Sequence, residues 1–265
     1  MRADYRQDRL VGMGLLLAIA IVVHLAYTLF VRPEARRHME QQQALAAQQP
    51  DLKAERSVWY ILKDPEQEIA IILGLWAFAL SGMKAREIQR HRRQLDKGLL
   101  RVPPGYRILP TDVRDYARQL EELPDGERNL IPARTMRHAL KRFGETANVQ
   151  DAATAVHDYS ESESSRLDSE LAMIRFCVWA IPAIGFVGTV RGIGEALAGA
   201  QQAIHGDTSA VTGGLGVAFN STLVALVISI IIMFVIHELQ LRQERLVLDT
   251  ELYVDDTVIS NLQSR

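Results

Sequence analysis

Apolar residues gather in four blocks, at 10–31, 69–83, 176–200 and 213–236, and charged residues lie between them. A bilayer hydrocarbon core of about 30 Å needs roughly 20 helical residues. The first, third and fourth blocks reach that length. The second is short, and spans only where the membrane is thin or its polar ends reach the interface. Trp76, with Trp59 and Tyr60 upstream, is expected near an interface. Arg2, Arg6 and Arg9 precede the first block, as in a signal peptide. The block is long for a signal core, however, and Arg32-Pro33-Glu34 is not a small-residue cleavage site, so it is read as a retained helix. Between blocks two and three, Pro103-Pro104-Gly105 predicts a turn and Leu109-Pro110-Thr111-Asp112 a helix start. Residues 113–123 and 133–142 show helical spacing. The acidic, Ser-rich run 158–170 predicts a helix feeding block three. Residues 40–49 fit either a helix or a flexible linker. In the tail, Leu241, Leu248, Leu252, Ile259 and Leu262 fit a heptad frame interrupted by Arg245 and Asp255. That frame serves either an amphipathic helix packing on the soluble section or a bundle between identical subunits. Nothing alternates like a strand. The expected fold is all-α: an integral membrane protein with four transmembrane helices and a helical cytoplasmic section.

The division that follows is a first transmembrane helix (1–31), an external linker (32–68), a second transmembrane helix (69–83), a cytoplasmic helical section (84–170), a hairpin of two transmembrane helices (171–237) and a cytoplasmic C-terminal helix (238–265). Orientation comes from the basic residues. Lys84, Arg86, Arg90, Arg92, Arg93, Lys97 and Arg101 crowd the region after block two, which places it in the cytoplasm. The short loop between blocks three and four has no Lys or Arg and faces out. Both termini are then cytoplasmic. Arg32, Arg36 and Arg37 stand against this scheme.

Composition narrows the chemistry. The chain has 265 residues, a formal net charge of −2 and 48% hydrophobic residues. That balance gives no reason to expect nucleic acid as a partner; lipid is the expected surroundings. The single cysteine, Cys177, excludes an internal disulfide and reads as a small buried hydrophobe. No nucleophile–base pair, dinucleotide fingerprint, Walker lysine or metal-ligand spacing is present, so an enzyme is not expected and no cofactor is implied.

The informative residues are small. Pro182, Gly185, Thr189, Gly192 and Ala196 share one helical face, and Ala218, Thr222, Ala225 and Ser229 share another. Small residues let helices approach closely in lipid, so both stripes serve as packing faces on spacing alone. Threonine hydroxyls in such helices also bond their own backbone. The functional reading sets several copies around an axis. Pro182, Gly185, Gly192, Ala196, Ala218 and Ala225 then line a pore, and Thr189, Thr222 and Ser229 give hydroxyls that hold water or relay an ion. Asn220, Ser221, Arg191 and Glu195 are secondary candidates. Arg191 and Glu195, four apart, read as a structural pair between subunits or as snorkelling side chains. Neither stripe carries Asp or Glu, so the titrating group is expected from a partner. His24, deep in block one, is expected to make an interhelical hydrogen bond. Gly213-Gly214-x-Gly216 reads as a flexible entry or a close contact.

The stretch 184–193, Ile-Gly-Phe-Val-Gly-Thr-Val-Arg-Gly-Ile, resembles the first signature of the MotA/TolQ/ExbB proton channel family, and 216–227 resembles its second. The order also matches: a long cytoplasmic section, a two-helix hairpin, a cytoplasmic tail. The resemblance implies a homopentamer in the bacterial inner membrane around a dimer of a single-span MotB/ExbD/TolR-like partner. It implies Thr189 and Thr222 as ion-path threonines and Pro182 near the cytoplasmic end of the same helix. The translocated ion is then a proton, with sodium as the alternative given Asn220, Ser221 and Thr222. ExbB and TolQ have a glutamate five residues before the last-helix threonine; here Val217 stands there. The expected function is an ion-conducting, stator-type subunit that converts ion-motive force into mechanical work. The competing expectation is a non-conducting membrane scaffold that recruits partners through its cytoplasmic section.

Overall fold

The computed structural model describes residues 2–48, 57–103 and 105–264. Pro104 of the expected turn and Gln49 of the expected linker lie outside the described residues, as do the side chains of Arg2, Arg6 and Arg9. In chain order the helices are α1 (Arg2–Ala26), a π-helical turn (Tyr27–Val31), α2 (Arg32–Gln48), α3 (Val58–Leu62), α4 (Pro65–Leu95), α5 (Val113–Glu121), α6 (Asp125–Arg128), α7 (Ile131–Thr146), α8 (Val149–Glu170), α9 (Ala172–Ala198), α10 (Ala200–Ile204), α11 (Ser209–Thr257) and a 3-10 turn (Ile259–Asn261). Among the described residues the only strand-like feature is one parallel bridge, Ile108–Leu262. Four helical stretches are long and apolar enough to cross a membrane: Leu10–Gln41, Pro65–Leu95, Val149–Ala198 and Ser209–Asn261. The protein is therefore an all-α, multi-pass membrane protein by length and composition. The chain divides into two compact units: 1–81 with 173–236, and 82–172 with 237–265.

In the first unit, one expectation changes. The second apolar block is part of a 31-residue helix, α4, because the polar residues before it continue the helix rather than leave it. Pro65 stands at its first position, where a missing N–H costs nothing, and Glu66 and Glu68 fall in its first turn. Trp76 is 6% exposed, and its indole N–H donates to the Gly12 carbonyl of α1 at 2.9 Å. A ring with one polar atom thus finds its partner inside the protein.

The α9–α11 hairpin packs backbone against backbone. A Cβ added at Gly192 would lie 2.5 Å from the Ala218 nitrogen and the Gly214 oxygen; one added at Gly214 would lie 2.5 Å from the Ala196 nitrogen. Gly214 is thus a close contact, not a flexible entry. A Cβ added at Gly185 would likewise lie 2.5 Å from the Ala225 methyl group. Gly185, Gly192, Ala196, Ala218 and Ala225 are all buried in this seam. Cys177 is buried as well. Close approach of this kind is what small residues supply where lipid gives no hydrophobic drive to associate.

The second unit has an apolar core of its own, with Ile108, Leu120, Met136, Ala139, Leu140, Phe143, Ala152 and Val254 fully buried in it. α7 ends on Ala147 in the left-handed region (φ 52°), and α8 begins with the Asn148 side chain accepting from the Gln150 N–H at 2.9 Å. Asp112 does not cap α5. Its carboxylate turns back to the Leu109 N–H (3.0 Å) and the Tyr106 hydroxyl (3.1 Å). Buried Glu163 accepts from Tyr159 (2.8 Å), Arg166 (2.7 Å) and Arg134 (2.9 Å). The tail follows the heptad frame only in part. Its buried positions are Leu239, Gln243, Leu246, Val247, Thr250, Val254, Val258, Ile259 and Leu262, while Leu248 and Leu252 are exposed. The bridge between the two ends of this unit consists of Ile108 N–H to the Asn261 carbonyl (2.8 Å) and Gln263 N–H to the Ile108 carbonyl (3.0 Å).

Candidate ion path

Pro182 sits inside α9 and has no N–H, so the Val178 carbonyl one turn back loses its helical donor. In a membrane an unpaired carbonyl is costly. Ser229 of α11 supplies the missing donor, its hydroxyl bonding the Val178 carbonyl at 2.9 Å. Pro182 and Ser229 are therefore coupled across the hairpin, and the Ser229 hydroxyl is already engaged.

About two turns further along α9, Thr189 meets Thr222. The two hydroxyls are hydrogen-bonded to each other. Thr189 also reaches the Ala218 carbonyl at 3.1 Å and the Gly185 carbonyl at 3.3 Å, and Thr222 reaches the same Gly185 carbonyl at 3.3 Å. Two hydroxyl protons thus face two carbonyls and two hydroxyl oxygens. More acceptors than protons exist, so the bonds can reverse direction by rotating the hydroxyls, with no movement of the helices. Four oxygens converge without a fixed charge. Both threonines are half-buried, whereas Asn220 and Ser221 are buried.

Gly188 explains what lies beside them. A Cβ there would lie 2.5 Å from the Ser221 hydroxyl and 3.1 Å from Cγ of Glu66. The bare backbone lets the first turn of α4 reach the hairpin next to Thr189. Glu66 then forms a forked pair with Arg191, at 2.7 and 2.9 Å, and Arg191 also holds Glu195 at 2.7 Å. Asp64 stands 3.6 Å from the same guanidinium. Arg191 and Glu195 thus pair within one chain, and α4 delivers Glu66 as a third partner. The Gln67 side-chain amide donates to Ser221 at 3.3 Å.

Glu68, on the same turn, binds α1 and α2. His24 Nδ1 lies 2.7 Å from one carboxylate oxygen and Arg32 donates to the other at 2.8 Å. His24 thus makes the expected interhelical bond. In an unbroken α-helix, residues eight apart point about 80° away from each other. The π-helical turn Tyr27–Val31 widens the helix to roughly 4.4 residues per turn and brings positions 24 and 32 to nearly the same face.

Sequence reading found Thr189, Thr222, Ser229 and Arg191 but not Asp64, Glu66, Gln67 or Glu68. The signal was present: Asp64-Pro65-Glu66-Gln67-Glu68 is a proline followed by an acidic first turn, abutting an apolar block. Among the described residues no group of three or more His, Cys, Asp or Glu is placed to hold a metal ion.

Residues 127–252 match the family model of the MotA/TolQ/ExbB proton channel family. Over that stretch the chain is similar to this family. No curated protein and no solved structure gives a match. The MotA/TolQ/ExbB stretch contains the whole α9–α11 seam, with Pro182, Thr189, Thr222 and Ser229. Glu66, Glu68, His24 and Arg32 lie outside it, on α4, α1 and α2.

Proposed function

We propose that this chain is the ion-conducting subunit of a stator-type complex in a bacterial inner membrane. Five copies surround two copies of a single-span, MotB/ExbD/TolR-like partner, and a carboxylate of that partner moves a proton past Thr189 and Thr222. The flow does mechanical work on whatever the partner is anchored to. The observation that carries this reading is the hydroxyl pair, which lies within the family stretch and offers four neutral oxygens at one level. Neutrality matters, since a permanent charge at mid-membrane is costly by several kcal/mol. One charge crossing 100 mV releases about 2.3 kcal/mol, so several crossings supply a useful stroke. Phe186, Val187, Val190, Phe219 and Leu223 are exposed on the two helices and supply apolar surface for lipid, neighbouring subunits and the partner's span.

The test is ion uptake into vesicles holding this chain with its membrane partner. Thr222→Val is expected to lower proton flux at least tenfold while the oligomer elutes unchanged; undiminished flux removes Thr222 from the path. A second reading has support of its own: every hydroxyl in the seam already bonds protein atoms, which a non-conducting scaffold also requires. Under that reading wild-type vesicles conduct nothing above lipid background.

A further inference from the structure

The first turn of α4 carries more negative charge than its surroundings neutralise. Among the described side chains, the carboxylates of Asp64, Glu66, Glu68 and Glu195 face the cations of Arg32, Lys63 and Arg191, with His24 as the remaining titratable base. The pairing is uneven. Glu66 has the fork of Arg191, Glu195 has its third arm, and Glu68 has both Arg32 and His24. Asp64 has the 3.6 Å approach of Arg191 to one oxygen and the charge of Lys63, which forms no ion pair with it; its other oxygen, Oδ2, is buried and has no hydrogen-bond partner. The surplus charge therefore falls on Asp64.

Two further buried groups are unmatched there. The Tyr27 hydroxyl, on a side chain 3% exposed, lies among the charges of Glu68, Arg32 and Asp64 and has no partner. Gln67, 1% exposed, uses its amide N–H on Ser221 and leaves Oε1 unpaired. A protonated carboxyl is both donor and acceptor, so it suits a place with a free acceptor and a free hydroxyl, where a carboxylate can only accept. A buried acid without a matching cation also takes up a proton before it keeps a bare charge.

We infer that Asp64 is a proton-holding site belonging to this chain, at the head of α4, with the buried Tyr27 hydroxyl in the same charge cluster. Glu66 and Ser221 both border Gly188, and Gln67 bonds Ser221, whose neighbour in sequence is Thr222; α4 thus links the site to the hairpin that carries the threonine pair. This deepens the conduction reading by giving the chain an acid of its own, but the protonation itself requires no conduction.

The test is infrared difference spectroscopy of the purified full-length chain in lipid nanodiscs, titrated from acid to alkaline pH. A carbonyl stretch of a protonated carboxyl group is expected in the wild type and its absence alone sinks the assignment. The band is expected to vanish in Asp64→Asn, to shift in Asp64→Glu and in Tyr27→Phe, and to persist in Glu195→Gln. A band that Asp64→Asn and Asp64→Glu both leave unchanged belongs to another acid and overturns the proposal. Because the readout needs neither partner nor flux, a titrating Asp64 band together with non-conducting vesicles would refute the conduction reading while leaving this one intact.

Discussion

At the scale of single residues, membrane helices are governed by where each polar atom finds its partner. Ser229 was read as an ion-path hydroxyl from its place on a small-residue stripe. The structure gives it a bond to the carbonyl that Pro182 leaves without a donor. Ser229→Ala should therefore destabilise the protein by about 1 kcal/mol, and Pro182→Ala should cancel much of that cost by restoring the helical N–H. A thermal-unfolding cycle of the two single variants and the double variant measures it; strict additivity would contradict the coupling. Arg191 poses the reverse case. Arg191→Met leaves Glu66 and Glu195 without their cation and should cost about 2–3 kcal/mol, less than for a fully buried pair because Arg191 is partly exposed. Glu66→Gln in the same chain should recover part of the loss. The threonines were legible because a hydroxyl amid glycines is rare in an apolar run. Their mutual bond was not, since spacing assigns a face to each helix but does not say which faces meet. Asp64 and Glu66 were missed for the same reason: their partners are distant in sequence.

At the scale of elements, periodicity placed the helices and misjudged their ends. α4 begins at Pro65, four residues before its apolar block, since burial of Glu66, Gln67 and Glu68 depends on Arg191, Ser221, Arg32 and His24. Hydropathy cannot anticipate partners of that kind. The tail was legible as a helix but not in its facing. A heptad frame selects leucines, whereas the buried stripe includes Gln243 and Thr250 and omits Leu248 and Leu252. Two outcomes follow. Gly192→Ala should cost about 2 kcal/mol or more, because the added methyl meets backbone atoms of α11 and no side chain can yield; near-normal melting would mean that the helices separate freely. Ala147→Gly should stabilise by about 1 kcal/mol, since glycine adopts the left-handed end of α7 without strain, and denaturant unfolding followed through that unit would register it.

At the scale of the whole molecule, the proposed membrane orientation has a direct check. In a Cys177→Ala background, a cysteine at Gln202 should react with an impermeant maleimide added outside intact cells, and one at Arg118 only after the cells are opened. The reverse pattern would invert the topology drawn from the basic residues. The order of the elements was legible in the sequence; the number of subunits was not, since a stripe of small residues serves one hairpin as well as a ring. One further consequence comes from the bridge at Ile108. Its partners, Asn261 and Gln263, stand some 150 residues later, and the whole family hairpin is threaded between them. A nascent chain leaves the ribosome N-terminus first, at about 5–20 residues per second. The unit that closes on Val254, Val258 and Leu262 consequently lacks part of its core until those residues have been translated. Both hairpin helices have left the ribosome by then, so their insertion can precede completion of that unit's core.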